Sequence, residues 1–145
     1  MHKPPLDSDE IRLLMEVGTV LAGSGKTEPA CRVFDALSLL RPERAFPYVG
    51  HAMALLNGGR AEEACRVLRH AAPLVGEELP TVQAFLGFAL HCAGRTAESQ
   101  RVLTAAAAAD PTLDGVGIAR SMLGLDEEHA GPVPASFSTT PPEVE

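Results

Sequence analysis

A ten-residue segment occurs three times along this chain, and its spacing restricts the fold more than any other feature of the sequence. The copies are GKTEPACRVF from Gly25, GRAEEACRVL from Gly59 and GRTAESQRVL from Gly94, which start 34 and 35 residues apart. A small residue also lies seven positions before each copy, at Gly18, Ala52 and Gly87. Self-similarity at this period is typical of stacked repeats that each form one supersecondary unit. The chain is therefore predicted to be a repeat protein.

The first copy overlaps the sequence GSGKT, residues 23–27, which is similar to the end of a phosphate-binding loop. Such a loop follows the pattern G-x-x-x-x-G-K-[ST] after a buried strand, because its first glycine lets the chain wrap amide groups around phosphate. Here Val20 takes the place of that glycine, and the preceding apolar residues recur at helical spacing, at Ile11, Leu14, Val17 and Leu21. We therefore expect no nucleotide binding, and we place Gly25 in a turn between two helices with Lys26 solvated.

Apolar periodicity and helix-ending residues predict an all-α fold. The expected helices span residues 8–23, 27–40, 45–56, 61–74, 80–93, 96–109 and 113–123, the first with Asp7 or Ser8 as its N-cap. They form three helix–turn–helix units and a C-terminal capping helix, in a helical domain of residues 8–125. Residues 1–7 are expected to be a flexible N-terminus, and residues 126–145, which are rich in Pro, Ser and Thr, a disordered tail.

Charge and hydropathy argue against several classes of partner. A net charge of −7 does not fit binding to nucleic acid or to an anionic membrane, because both need a basic surface. The sequence contains neither an apolar run long enough to span a membrane nor the apolar segment of a signal peptide. We therefore expect a cytoplasmic protein without membrane insertion.

Residues that carry chemistry do not form a recognisable pattern. The five histidines are scattered, and no Ser-His-Asp arrangement, Cys-His arrangement or metal-ligand spacing is present. Cys31, Cys65 and Cys92 include no C-x-x-C pair, so we expect them to be small buried hydrophobic residues. The sequence thus predicts no enzyme activity, no cofactor and no metal.

With its units placed, the chain resembles the tetratricopeptide-repeat (TPR) family, whose unit is a helix–turn–helix of the same period. The resemblance covers about residues 10–112 and rests on Gly18, Gly25, Ala30, Phe34, Pro42, Ala52, Gly59, Ala64, Leu68, Ala71, Gly87, Gly94, Leu103, Ala106 and Pro111. Leu14 and Gln83 replace the early aromatic residue of the family, and Ser99 replaces the alanine where the two helices cross, so the third unit is expected to pack less tightly. Ala107 is expected to tolerate a larger side chain, unlike Ala30 and Ala64.

The TPR resemblance implies a short right-handed solenoid whose concave face is lined chiefly by the first helix of each unit. Projection of those helices places nine residues on that face: Met15, Thr19, Phe46, Val49, Met53, Leu56, Ala84, Phe88 and His91. This mostly apolar set suits a partner's amphipathic helix, whereas only Arg12 and Asn57 are available for a two-carboxylate clamp on a peptide C-terminus. The same residues would equally serve as core, and one sequence does not separate the two roles.

A more specific resemblance extends over residues 10–125. A small acidic chain with the segments VGTVLAGSGKTEPACRVFDALSLLRP, PYVGHAMALLNGGRAEEACRVL and DPTLDGVGIARSMLGL is similar to cytosolic chaperones of bacterial type III secretion, including the needle-subunit, export-gate and Hrp-type families. This resemblance implies a virulence-associated chaperone that holds a small helical, aggregation-prone secretion subunit, with a second small chaperone and a homodimer left open as further partners. The alternative hypotheses are a generic TPR adaptor in another bacterial assembly and, more distantly, an NTPase built on GSGKT.

Overall fold

The structure, a computed structural model, describes residues 6–109 and 116–124. It contains seven α-helices within those ranges: α1 (Ser8–Gly23), α2 (Thr27–Leu40), α3 (Phe46–Asn57), α4 (Ala61–Ala71), α5 (Leu79–Cys92), α6 (Thr96–Ala107) and α7 (Val116–Met122). Two short 3₁₀ turns, Ala72–Leu74 and Gly76–Glu78, join α4 to α5. The described part of the chain has no strand, and the predicted all-α repeat fold is confirmed.

The helix boundaries agree with the prediction most closely in the first unit. Both α1 and α2 have the predicted bounds, and Asp7 is the N-cap of α1, where its carboxylate accepts from the Glu10 amide in a capping box. In contrast, α4 ends at Ala71 and not at residue 74, since Pro73 lacks the amide hydrogen that a continuing helix requires. The predicted start of the closing helix at 113–115 and the predicted tail at 126–145 lie outside the described residues.

The same glycine turn ends the first helix of every unit. Gly25, Gly59 and Gly94 have φ angles of 77°, 76° and 80°, a left-handed conformation that glycine adopts without steric cost. After Gly25, the Lys26 amide donates to the Leu21 carbonyl at 2.9 Å, while the Gly25 amide donates to Ala22 at 3.2 Å. These two bonds define a Schellman cap, which the other two turns repeat. The GSGKT sequence is thus a turn between two helices, and a helix, not a strand, precedes it.

Two layers of helices result from these turns. Each first helix (α1, α3, α5) packs against the second helix of its own unit (α2, α4, α6), and α3 and α5 also pack against the second helix of the preceding unit. Successive first helices touch each other, as α1 touches α3 and α3 touches α5, whereas contacts between successive second helices are marginal at most. Successive units therefore approach each other more closely at their first helices than at their second helices. This places the first helices on the inner side of the stack. The capping helix α7 closes the stack against α5 and α6.

Small residues set the distance between the helices. Ala30 and Ala64 are fully buried where the two helices of a unit cross, as predicted. In the third unit the equivalent Ser99 is also buried, and its hydroxyl donates to the Gly87 carbonyl at 2.7 Å. This bond satisfies the buried hydroxyl, so the serine does not leave an unpaired polar group in the core.

Arginine–glutamate pairs connect successive units at the surface. Arg60, in the turn before α4, pairs with Glu28 of the preceding unit. Arg95, at the equivalent place before α6, pairs with Glu62 of its preceding unit at 3.0 Å. Exposed pairs of this kind contribute little stability individually, but they mark the register of one unit on the next.

Two expectations about individual residues are wrong. Cys92 is exposed, although all three cysteines were expected to be buried; Cys65 alone is fully buried, and Cys31 is partly exposed. Ala107 is buried at 6% exposure in a cluster with Leu103 and Ala119, because the capping helix covers this side of α6. A larger side chain at Ala107 would collide with that cap, so the exposed Ala105 is the tolerant position.

Candidate protein-binding site

The first helices of the second and third units carry no charged residue. The sequences of α3 (FPYVGHAMALLN) and α5 (LPTVQAFLGFALHC) contain no Asp, Glu, Lys or Arg, although each helix has one side that no second helix covers. Surface helices in water normally carry charge on their open side, and a helix that is apolar all round is normally buried. We call the surface formed by the open sides of α1, α3 and α5 the inner face.

The α3 residues predicted for the concave face lie between core and surface. Val49, Met53 and Leu56 are each half-buried and pack against the cluster shared by α3, α4 and α5. Phe46 packs against the first unit, where Phe34 and its neighbours are buried, and the Arg44 guanidinium lies 5.7 Å from its ring centroid. Part of the surface of each of these side chains is thus buried in the core, and the rest is accessible to a partner.

The remaining predicted residues differ in exposure. In α1, Met15 is 39% exposed, and the exposed Thr19 donates its hydroxyl to the Met15 carbonyl at 2.8 Å. In α5, Phe88 is half-buried and His91 is exposed. Ala84 is fully buried in the cluster of α6 and α7, so its side chain is not accessible to a partner and we leave it out of the proposed binding surface.

Sequence reasoning did not predict a second concave feature, which lies on the opposite side of the stack. A groove of about 560 Å³ opens between α2 and α4, where the second helices diverge, and we call it the outer groove. Its lining residues come from α2, α3, α4 and the adjacent turns: Asp35, Ser38, Leu39, Pro42, Tyr48, His51, Arg66, Val67, His70 and Leu74. The spacing of Asp35, Ser38 and Leu39 on one side of α2 was the available signal, but it becomes informative only once α2 and α4 are placed side by side.

Two polar residues of the outer groove, Tyr48 and His70, have structural contacts. The Tyr48 hydroxyl donates to the Pro42 carbonyl at 2.8 Å, and its ring meets the His70 ring edge-on with centroids 6.3 Å apart. Burial lowers the pKa of His51 below its usual 6.5, an effect that the nearby Asp35 carboxylate partly offsets. This groove therefore combines a neutral imidazole with mixed charge, and its rim contains the exposed Leu39 and Leu74.

The described residues do not assemble a group that could hold a metal ion. No cluster of three or more His, Cys, Asp or Glu side chains in ligand geometry occurs among residues 6–109 and 116–124. Burial raises the pKa of the Cys31 and Cys65 thiols, and desolvation by neighbouring atoms raises that of Cys92 although part of its surface is exposed. These shifts are opposite to the one that activates a nucleophilic cysteine. Over the same ranges, no helix combines the length and the apolar character needed to cross a bilayer.

Comparison with known families agrees with this geometry. A family model described as tetratricopeptide repeat matches residues 45–70 and 80–103, which cover most of the second and third units. No curated protein matches the chain significantly. The chain is therefore a TPR-like helical repeat protein, and such repeats generally serve as modules for binding other proteins.

Proposed function

We propose that this protein is a cytosolic chaperone of a bacterial type III secretion system, which holds a small helical secretion subunit against its inner face before export. The TPR-like architecture supports protein binding in general, and the sequence resemblance to the secretion chaperones supports the narrower class. The function requires no catalysis, because the chaperone needs only to cover the apolar surface of its client.

One observation carries the proposal: α3 and α5 are uncharged along their whole length, yet they lie side by side on the open side of the stack. Val49, Met53, Leu56 and Phe88 then offer a client helix a continuous apolar surface, with Met15 at one end. Methionine side chains adapt to varied partners because they are flexible and polarizable. An amphipathic helix from the client would place its apolar side along this surface.

The alternative is a generic TPR adaptor in another bacterial assembly, which the outer groove favours. That groove contains Arg66, Asp35 and two histidines, so it would suit an extended, polar peptide better than an apolar helix. An adaptor of this kind would bind through the second helices and leave the inner face unused.

The test is co-expression of the chain with the needle subunit of a type III secretion system from the same organism. We expect the subunit to stay soluble and to co-purify with the wild-type chain. Met15→Glu and Met53→Glu should abolish co-purification, because each places an unpaired carboxylate in an apolar interface at a cost of several kcal/mol. Phe88→Glu should have the same effect from the third unit.

The matched control is Leu39→Glu, which makes the same kind of change on the rim of the outer groove, where the leucine is 78% exposed. Co-purification should survive in this variant, and circular dichroism should show wild-type helicity in all four. Loss of co-purification by Leu39→Glu alone would show that the subunit binds in the outer groove, and a wild-type chain that does not retain the subunit would favour the adaptor. Loss of helical signal in the inner-face variants would show that those residues are core, and retained co-purification by all variants would contradict the inner face as the binding surface.

A further inference from the structure

The first helix exposes a stripe of large apolar residues on the side away from α2. Leu13, Val17 and Val20 are 59%, 42% and 66% exposed, and their spacing of four and three residues places them along one side of α1. This stripe is separate from the inner face, where Met15 and Thr19 lie. Among the described helices, α1 packs substantially only against α2 and α3, and neither covers this stripe.

The repeat shows what kind of element normally covers this side. The residues equivalent to the stripe in α5 are Val82, Leu86 and Ala89, which are 0%, 7% and 0% exposed. They share a hydrophobic cluster with residues of α4, the second helix of the preceding unit. No described helix covers the equivalent positions of the first unit, so the stripe of α1 is an open surface of the kind on which α4 packs in the third unit.

Lys26 shows the same difference between the first unit and the other two. Arg60 and Arg95 each pair with a glutamate, Glu28 or Glu62, that is the second residue of the preceding unit's second helix. Lys26 is their equivalent in the first unit, where it is exposed and forms no ion pair with a described residue. An occupant that copies α2 or α4 would therefore bring an acidic residue in its first turn to Lys26.

The chain itself contains a helix with these properties, namely α1. Its second residue is Asp9, which lies four positions before Leu13 and hence on the same side as the stripe. Asp9 lies eight positions before Val17 and Lys26 nine positions after it. Two copies of α1 packed antiparallel about Val17 would thus cover both stripes and place Asp9 of each copy beside Lys26 of the other.

We propose that the protein forms a two-fold symmetric homodimer through the stripe Leu13, Val17 and Val20 of α1, with reciprocal Asp9–Lys26 ion pairs. A self-complementary patch of this type closes after two copies and does not form fibres. The C-terminal end of the stack does not offer the same match, because α7 packs on it and α6 has Ala97 where α2 and α4 have Glu28 and Glu62. The inner face stays accessible in this dimer, so the proposal does not depend on the proposed function.

Glu16 of α1 is expected to weaken the dimer, and its replacement gives a further test of the interface. Glu16 lies beside Val17, so the two Glu16 carboxylates would face each other near the two-fold axis and repel. With three apolar residues on each side, the interface is small, and the dimer is expected to dissociate on dilution. Replacement of Glu16 by glutamine should therefore strengthen the association by about threefold to fivefold.

The test is sedimentation equilibrium of the full chain over a concentration series. Wild-type protein should show a reversible monomer–dimer equilibrium, and Val17→Glu should weaken the dimer by about a hundredfold or more, because two unpaired carboxylates would meet at the axis. Asp9→Lys and Lys26→Asp should each weaken it by about fivefold, and the double variant should restore the wild-type dissociation constant.

Leu39→Glu is the control, since Leu39 is 78% exposed on α2 and borders the outer groove, outside the proposed dimer contact, so this change should leave the dissociation constant unaltered. Helicity of Val17→Glu by circular dichroism should match the wild type, because Val17 is already 42% exposed in a single copy. A monomer at every concentration would overturn the proposal. So would a dimer that tolerates Val17→Glu, or single charge variants that the double variant fails to rescue.

Discussion

At the scale of single residues, three positions with equivalent roles show how each unit closes. Ala30 and Ala64 have no exposed surface, and Ser99 takes the same place in the third unit with a hydrogen bond to the Gly87 carbonyl. A methyl group or a hydroxymethyl group is all that the helix crossing admits. The backbones of the two helices therefore approach closely, and the approach fixes the angle of each unit.

We predict that Ala64→Leu lowers the free energy of unfolding by about 1–3 kcal/mol, because the added methylene groups overpack a closed contact. The matched control is Ala105→Leu, where the alanine is exposed on α6 and a leucine has nearly the same helix propensity. Thermal unfolding followed by circular dichroism measures both. Identical melting temperatures for wild type and Ala64→Leu would contradict the close crossing of α3 and α4.

The half-buried His51 predicts how stability depends on pH. Burial lowers its pKa in the folded chain below 6.5, so the unfolded chain binds this proton at a higher pH than the folded chain does. The contribution of His51 to stability is complete above pH 6.5 and declines as the pH falls toward the lowered folded pKa. Acidification should therefore lower the melting temperature.

His51→Gln should reduce that decline, because it removes the buried group that must take up a proton. Melting temperatures of the variant and the wild type, measured between about pH 7.5 and about pH 5.5, make the comparison. His70→Gln removes an exposed imidazole from the same groove and serves as the control. An identical pH dependence in wild type and His51→Gln would show that other groups cause the acid sensitivity.

At the scale of helices, one aromatic ring holds the first unit to the second. Phe34 of α2 is 2% exposed and lies between Gly18 of α1 and Gly50 of α3. A Cβ atom on Gly18 would lie 2.8 Å from this ring, and one on Gly50 would overlap it more severely. The two glycines thus provide the space in which the ring joins three helices.

Gly50→Ala is expected to destabilise the protein even though alanine favours helix more than glycine does. The propensity gain of about 1 kcal/mol is outweighed by the collision with a buried ring that cannot move away. The same change at Gly23, in the last turn of α1, meets no atom within 4 Å and should be neutral or stabilising. Urea unfolding should give a lower midpoint for Gly50→Ala and an equal or higher midpoint for Gly23→Ala, and a stabilised Gly50→Ala would disprove the packing of Phe34.

The sequence predicted the elements well where local chemistry determines them. The positive φ of Gly25 and the capping role of Asp7 follow from their neighbours in sequence, so α1 and α2 have the predicted bounds. The burial of Ala107 and the exposure of Cys92 depend on which helix packs across from them, and helical periodicity does not encode that. Ala84 shows the same limit, because α7 and not a partner protein covers it.

At the scale of the whole molecule, the repeat period determined the architecture but not its surfaces. The helix pairs and their order follow from the three copies of one segment. The outer groove does not, because it arises from the divergence of α2 from α4 and needs both helices in place. The inner face was predicted as a set of residues, and its role in binding a secretion subunit remains the prediction that the glutamate variants test.

Every substantial helix contact in the described ranges joins neighbours in the stack, and none joins the first unit to the third. The packing partners of each helix are therefore synthesised shortly before it or within the next unit, so no contact depends on a segment far along the chain. Because the loops to be closed are short, the entropy lost on the way to each contact is small. The chain is thus able to fold progressively during translation, beginning with α1 and α2.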